Sequence, residues 1–193
     1  MPVRPREVSH ASPRIAVPPA LPNRVRTVTT YRTRQGGSAG RRAREGPAGQ
    51  EELFRKALER YTEGPGGYLT RALEEPTAHE VATAILAGTV RTTTRPTPPR
   101  GCLGVQGALS TSDAGQGVRD LLTAWRNDGC GSVRARFERA VAEGDVPPGA
   151  DPALLARHVT TLAFGIAVQA ASGIGREELQ AVADAALRTW PPT

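Results

Sequence analysis

Aromatic side chains are scarce in this 193-residue chain, which holds two Trp, three Tyr and three Phe. A core must therefore be assembled from Ala, Leu and Val, which favours helices packed closely through small side chains. Two cysteines, Cys102 and Cys130, exclude a disulfide framework and point to a reducing compartment. His10, His79 and His158 lie far apart with no second ligand at metal spacing, so no metal site is expected. No Gly-rich phosphate loop opens on a strand, and no Ser/His/Asp set can be assembled. These absences leave no catalytic residue and no cofactor to name, and an enzyme is not expected. No charged-then-apolar leader opens the chain. The longest nearly uncharged apolar stretch, LAFGIAVQAASGIG at 162–175, is too short to span a bilayer. The expectation is a soluble cytoplasmic protein with no membrane partner.

Acidic residues are nearly missing from the first quarter of the chain. Residues 1–50 carry ten arginines against Glu7 and Glu45, which leaves 15 basic and 17 acidic residues in the remainder. The net charge of +6 thus belongs to the N-terminal segment, and the rest is about neutral. Such an arm can neutralise phosphates, or it can simply keep a disordered tail solvated. Six prolines from Pro2 to Pro22 and five glycines from Gly36 to Gly49 break any helical period. The fragment RVRTVTTYRTR, 24–34, alternates like a strand but has nothing to pair with. Residues 1–49 are read as a basic, disordered arm.

From Gln50 onward the pattern becomes helical. Leu53, Phe54, Ala57, Leu58 and Tyr61 recur at three- and four-residue steps. EGPGG, 63–67, interrupts, and Tyr68, Leu69, Ala72 and Leu73 form a short second stripe. Thr77 and Glu80 make a capping box, after which Val81, Ala84, Ile85 and Gly88 carry a helix. RTTTRPTPPR, 91–100, reads as a loop. Asp113, with Gln116 at the third position of a box, begins a long helix through Trp125, Val133 and Phe137. A kink is expected at Gly129 and Gly131, and Gly144 closes the helix. Asp151-Pro152 starts another helix, apolar nearly all round beyond Val159. The last helix runs from about Arg176 to Trp190. The fold class is all-α.

FRKALERY, EGPGGYLTRALEEPTAHE, RPTPPRGCLGVQGAL, RFERAVAEGDVPPGADPALLARHV and AVQAASGIGREELQAVADAALRTWP, in this order, resemble the regulatory domain of TetR/AcrR-type transcriptional regulators. The resemblance covers 50–193 and implies a helical ligand-binding and dimerisation bundle, preceded by a helix-turn-helix head. It also implies a homodimer, a small apolar or amphipathic effector, and operator DNA as partners. Pocket candidates are Tyr68, Gln106, Trp125, Phe137 and Phe164, with Cys102 near the wall. Trp125 and Phe137 stand more than three turns apart, so they cannot both crowd one small ligand. The Gln106 amide needs a partner, either a ligand or a backbone carbonyl. Cys102, close to Arg100, reads either as a redox sensor or as a small buried hydrophobe. The resemblance implies that the last two helices pair with a twin. Interface candidates there are Leu162, Ala163, Ile166, Ala167, Ala171, Leu179, Val182, Ala186 and Leu187, and a charge at Ala167 is expected to split the dimer.

The departure from the family lies before Gln50. Such regulators commonly begin with something like GRPREFD, and Arg4-Pro5-Arg6-Glu7 stands near the start here. The 43 residues between Glu7 and Glu51 match the length of a head but not its content. No short helix, tight turn and second helix with base-reading side chains can be drawn through them, so no DNA-binding residue is named. A frameshift, a gene fusion and a truncated paralogue each account for this. The alternative function is a small-molecule-binding or heterodimerising helical protein without specific DNA binding. If a frameshift is the cause, translating the coding DNA in all three frames should uncover a helix-turn-helix between the codons for Glu7 and Glu51; its absence rejects that cause.

Overall fold

The computed structural model describes residues 47–97, 99–110 and 115–191. The expected disorder of the arm lies outside these residues, apart from Pro47 to Gly49. Those three open the first helix, α1 (Pro47–Glu63), three residues earlier than periodicity placed it. Proline is compatible with this start, because the amide it lacks would have no intrahelical partner there. A 3-10 turn (Pro65–Gly67) leads into α2 (Tyr68–Ala72), followed by α3 (Ala78–Thr93) and α4 (Leu103–Ser110). The long α5 (Gln116–Ala142), then α6 (Pro152–Ala171) and α7 (Arg176–Leu187), complete the bundle. No strand occurs among the described residues.

Local signals fixed several boundaries as read. Thr77 caps α3: its hydroxyl accepts from the Glu80 amide at 3.2 Å, while Glu80 returns a carboxylate to the Thr77 amide at 3.1 Å. A second carboxylate, Asp145, accepts from the Ala78 amide and joins this helix start to the end of α5. Asp151 caps α6 by accepting from the Ala153 amide at 2.9 Å. Gly144 adopts a φ of +74° after α5, a left-handed conformation that favours glycine.

Three readings change. The segment from Arg91 to Thr93 is helix rather than loop. Thr93 and Thr94 donate their hydroxyls to the carbonyls of Thr89 and Val90, at 2.8 and 2.7 Å, and Thr92, Thr93 and Thr94 are buried. Arg176, at the start of α7, then holds the helix end by donating to Thr94 Oγ1 at 3.0 Å and the Arg91 carbonyl at 3.2 Å. Burial and these bonds override the low helix propensity of threonine. The second change is at α5, whose N-cap is Gly115; Asp113 lies outside the described residues. From there α5 runs unbroken through Gly129 and Gly131 for 27 residues, about 40 Å. The third concerns α6, which at 20 residues and a mean hydropathy of 1.3 is long and apolar enough to cross a bilayer, unlike the shorter 162–175 stretch. Here α3, α4, α5 and α7 pack against it instead.

α6 is the axis of the bundle. Leu155, Ala156, Val159, Ala163, Ile166, Ala167 and Ala170 are all buried within one protomer. All of these but Ala167 join Ile85 and Val90 of α3, Val133 and Phe137 of α5, and Leu179 and Ala183 of α7 in a continuous core. The alanine stripe therefore faces inward: Ala163, Ile166, Ala167 and Leu179 are already covered, whereas Ala171 and Val182 are exposed. Leu162, Ala186 and Leu187 are half-buried. Ala167→Glu would place an unpaired carboxylate in the core. It is expected to lower unfolding free energy by about 3 kcal/mol or more in urea titration. Val182→Glu, on the open face of α7, should leave the midpoint nearly unchanged.

Candidate functional site

One cavity of about 290 Å³ opens between α1, α2, α3, α5 and α6. This lies at the lower end of the roughly 300–1,000 Å³ typical of small-molecule sites, room for one or two rings. Leu69, Ile85, Ala163, Phe164 and Ala167 supply apolar wall. The exposed residues Thr70, Asp128 and Ser132 border it toward solvent. Of the sequence candidates, Tyr68, Cys102, Trp125 and Phe164 line this cavity. Gln106 and Phe137 do not. Gln106 lies a turn beyond Cys102 on α4, half-buried beside Gly101. Phe137 is fully buried further along α5, its ring centroid 5.6 Å from that of Trp190.

The polar side of the cavity is built by neighbouring helices. Tyr68 begins α2 directly after the glycine turn, and its ring packs so tightly on Gly88 of α3 that a Cβ there would collide with it. Its hydroxyl lies 2.9 Å from Thr89 Oγ1. Trp125 of α5 donates its indole N–H to Thr62 Oγ1 of α1 at 3.0 Å, and meets Tyr61 edge-on at a centroid distance of 6.5 Å. Thr62 and Tyr61 thereby hold the last turn of α1 against Trp125 at the cavity.

Periodicity missed Tyr61, Thr89 and Cys130 as cavity residues. Signals for them existed. Tyr61 follows Leu58 by three on the buried face of α1, and Thr89 follows Ile85 by four on α3. Cys130 precedes Val133 and Phe137 on the buried stripe of α5, a phase that outweighs its flanking glycines. Both cysteines of the chain thus line the same space, Cys130 buried and Cys102 half-buried. Among the described residues no group of three His, Cys, Asp or Glu could hold a metal.

Burial pushes the Tyr68 phenol up to about 12, against the opposing effect of its bond to Thr89, with Cys102 adding to the rise. Burial also raises Tyr61, again with Cys102 contributing. Both phenols are therefore neutral at neutral pH. A folded-state pKa above the unfolded value of 10 means that unfolding releases protons in alkali. This contribution is fully present below pH 10 and is lost as pH rises toward 12. Tyr68→Phe is expected to flatten the fall in melting temperature across that window, as read by circular dichroism; an unchanged slope would contradict the assignment.

Residues 80–187 match the family described as tetracyclin repressor-like, C-terminal domain. Among solved structures, the chain is similar to the TetR family transcriptional regulator CifR in a cysteine-substituted form complexed with 26-bp double-strand operator DNA. Identity is 39% and the TM-score 0.69, over 74% of this chain and 75% of that one. A second cysteine-substituted CifR complexed with operator DNA gives 38% identity and a TM-score of 0.69, over 74% of each chain. A putative TetR transcriptional regulator from Rhodococcus sp. RHA1 gives 40% identity and a TM-score of 0.59, over 75% of this chain and 77% of that one. Comparison with curated proteins finds no match. The domain match and the shared identity agree: the chain belongs to the TetR family of transcriptional regulators and carries its C-terminal domain.

Proposed function

We propose that this protein is a ligand-responsive repressor whose effector enters the cavity between α1, α3, α5 and α6. The observation that carries this reading is the attachment of α1. Its last turn is tied to the cavity through Trp125, which donates to Thr62 and meets the Tyr61 ring edge-on, so a guest that moves Trp125 acts on the helix. α1 is also the described helix nearest in sequence to the N-terminal segment. A ligand shifts such an equilibrium only by its differential affinity for the two positions of α1.

A homodimer completes the proposal, in a reducing cytoplasm. Val168 of α6 and Val182 of α7 are exposed, at 38% and 47%, and Gly165 has nothing within 4 Å of where a side chain would begin. Exposed Ala181 and Ala185 flank Val182 on α7. This face, rather than the inward alanine stripe, is the surface offered to a twin. Small residues on it would let two pairs of helices approach closely, as in four-helix packing.

DNA recognition is proposed with a qualification drawn from the sequence: residues before Gln50 spell no recognition helix. The second reading, a regulator subunit that pairs with an intact relative, rests on that observation. Mobility-shift titrations of DNA from the chain's own promoter, against unrelated DNA across a salt series, separate the two. A promoter preference that survives rising salt supports operator recognition by this chain. Equal affinity for both DNAs with steep salt dependence assigns binding to the arginines alone and refutes it.

A further inference from the structure

The hydroxyl protons of Thr62, Thr89 and Ser132 along the cavity wall are committed to backbone carbonyls, and that leaves a specific vacancy in hydrogen-bonding capacity at Tyr68. A hydroxyl has one proton to give. Thr89 gives its proton to the Ile85 carbonyl at 2.8 Å, so in the 2.9 Å contact with Tyr68 the phenol must be the donor. The Tyr68 oxygen keeps its lone pairs, and no donor to them occurs among the described residues. Thr62 likewise donates to the Leu58 carbonyl at 2.9 Å and receives the Trp125 N–H. Ser132 donates to the Asp128 carbonyl at 3.0 Å. Arg126 donates to the Gly104 carbonyl at 2.7 Å and to Thr123 Oγ1 at 3.1 Å.

The cavity thus offers an acceptor at the Tyr68 oxygen, whose own proton is turned toward Thr89. Arg126 and Asp128 bring one charge of each sign, which leaves the lining neutral.

We infer that the effector is an uncharged molecule of one or two rings bearing a hydroxyl, which donates to the Tyr68 oxygen. This rests on the reading of the cavity as the effector site. A hydroxyl supplies the donor that this oxygen lacks. An ether has nothing to donate to Tyr68, and a carboxylate sets its own lone pairs against those of the phenol. Because burial keeps Tyr68 protonated, the phenol offers no negative charge to attract a cationic ligand either.

Three isosteric probes test this by calorimetry on the full chain at pH 7: 2-naphthol, 2-methoxynaphthalene and 2-naphthoate. 2-Naphthol is expected to bind about tenfold more tightly than its methyl ether, a hydrogen bond's worth of affinity, and naphthoate more weakly still. In Tyr68→Phe the preference for naphthol over the ether should fall to about twofold or less, with ether binding retained. Thr89→Val removes the acceptor of the Tyr68 proton and frees it for the ligand, so the ether should gain on naphthol. That second variant decides the matter should Tyr68→Phe fail to fold. Equal binding of naphthol and ether by the unaltered protein overturns the inference, as does naphthoate binding tightest, which would make Arg126 the recognition group. Either result leaves the cavity as effector site intact. Binding of none of the three removes the effector-site reading together with the inference.

Discussion

A helix surrounded by four others must present small side chains on several faces, and α6 is built to that constraint. Ala156, Ala163, Ala167 and Ala170 are buried along it, and the close approach they allow brings α3, α4, α5 and α7 onto one axis. Gly101 sits against it so closely that a Cβ there would lie 3.0 Å from the Ala171 methyl and 3.3 Å from the Ala167 carbonyl. A larger residue on this axis would push the surrounding helices outward and change the volume of the cavity, since Ala163 and Ala167 are also its wall. The same alanines therefore set both the packing of the fold and the size of what it can hold. With so few aromatic residues in the chain, there was little other material from which to shape a small space.

The helices were legible where a residue type has one strong local use. Asp151-Pro152, the Thr77–Glu80 box and Gly144 announced boundaries that the structure keeps, because capping depends on neighbours within four residues. The run of threonines after Val90 was misread because threonine's helix penalty is local, whereas what offsets it is not: burial against the bundle and a guanidinium from α7, 82 residues away. Tertiary contacts of that kind leave no trace in a window of neighbouring residues.

The site was half legible for a related reason. Tyr68, Trp125, Cys102 and Phe164 are rare, bulky or polarizable residues on apolar faces, and they do meet at the cavity. Gln106 and Phe137 stand outside the cavity because of their height along their helices, which periodicity cannot supply; it gives the phase around a helix but not what stands opposite. Thr89 was invisible for the opposite reason, since a threonine on a buried helix face ordinarily serves only the i−4 carbonyl. It does so here, and its acceptor lone pair is what orients the Tyr68 proton. The inward turn of Ala163 and Ala167 reflects the same limit: a smooth stripe shows that something packs closely, without saying whether it comes from the same chain.

The chain's only two sulfhydryl groups border one compartment, at Cys102 and Cys130. A thiol-selective dye that labels this polypeptide under native conditions does so at that compartment, and a guest inside would shield it. The extent of such labelling, read by mass spectrometry, would report whether that compartment is filled, without an engineered tag.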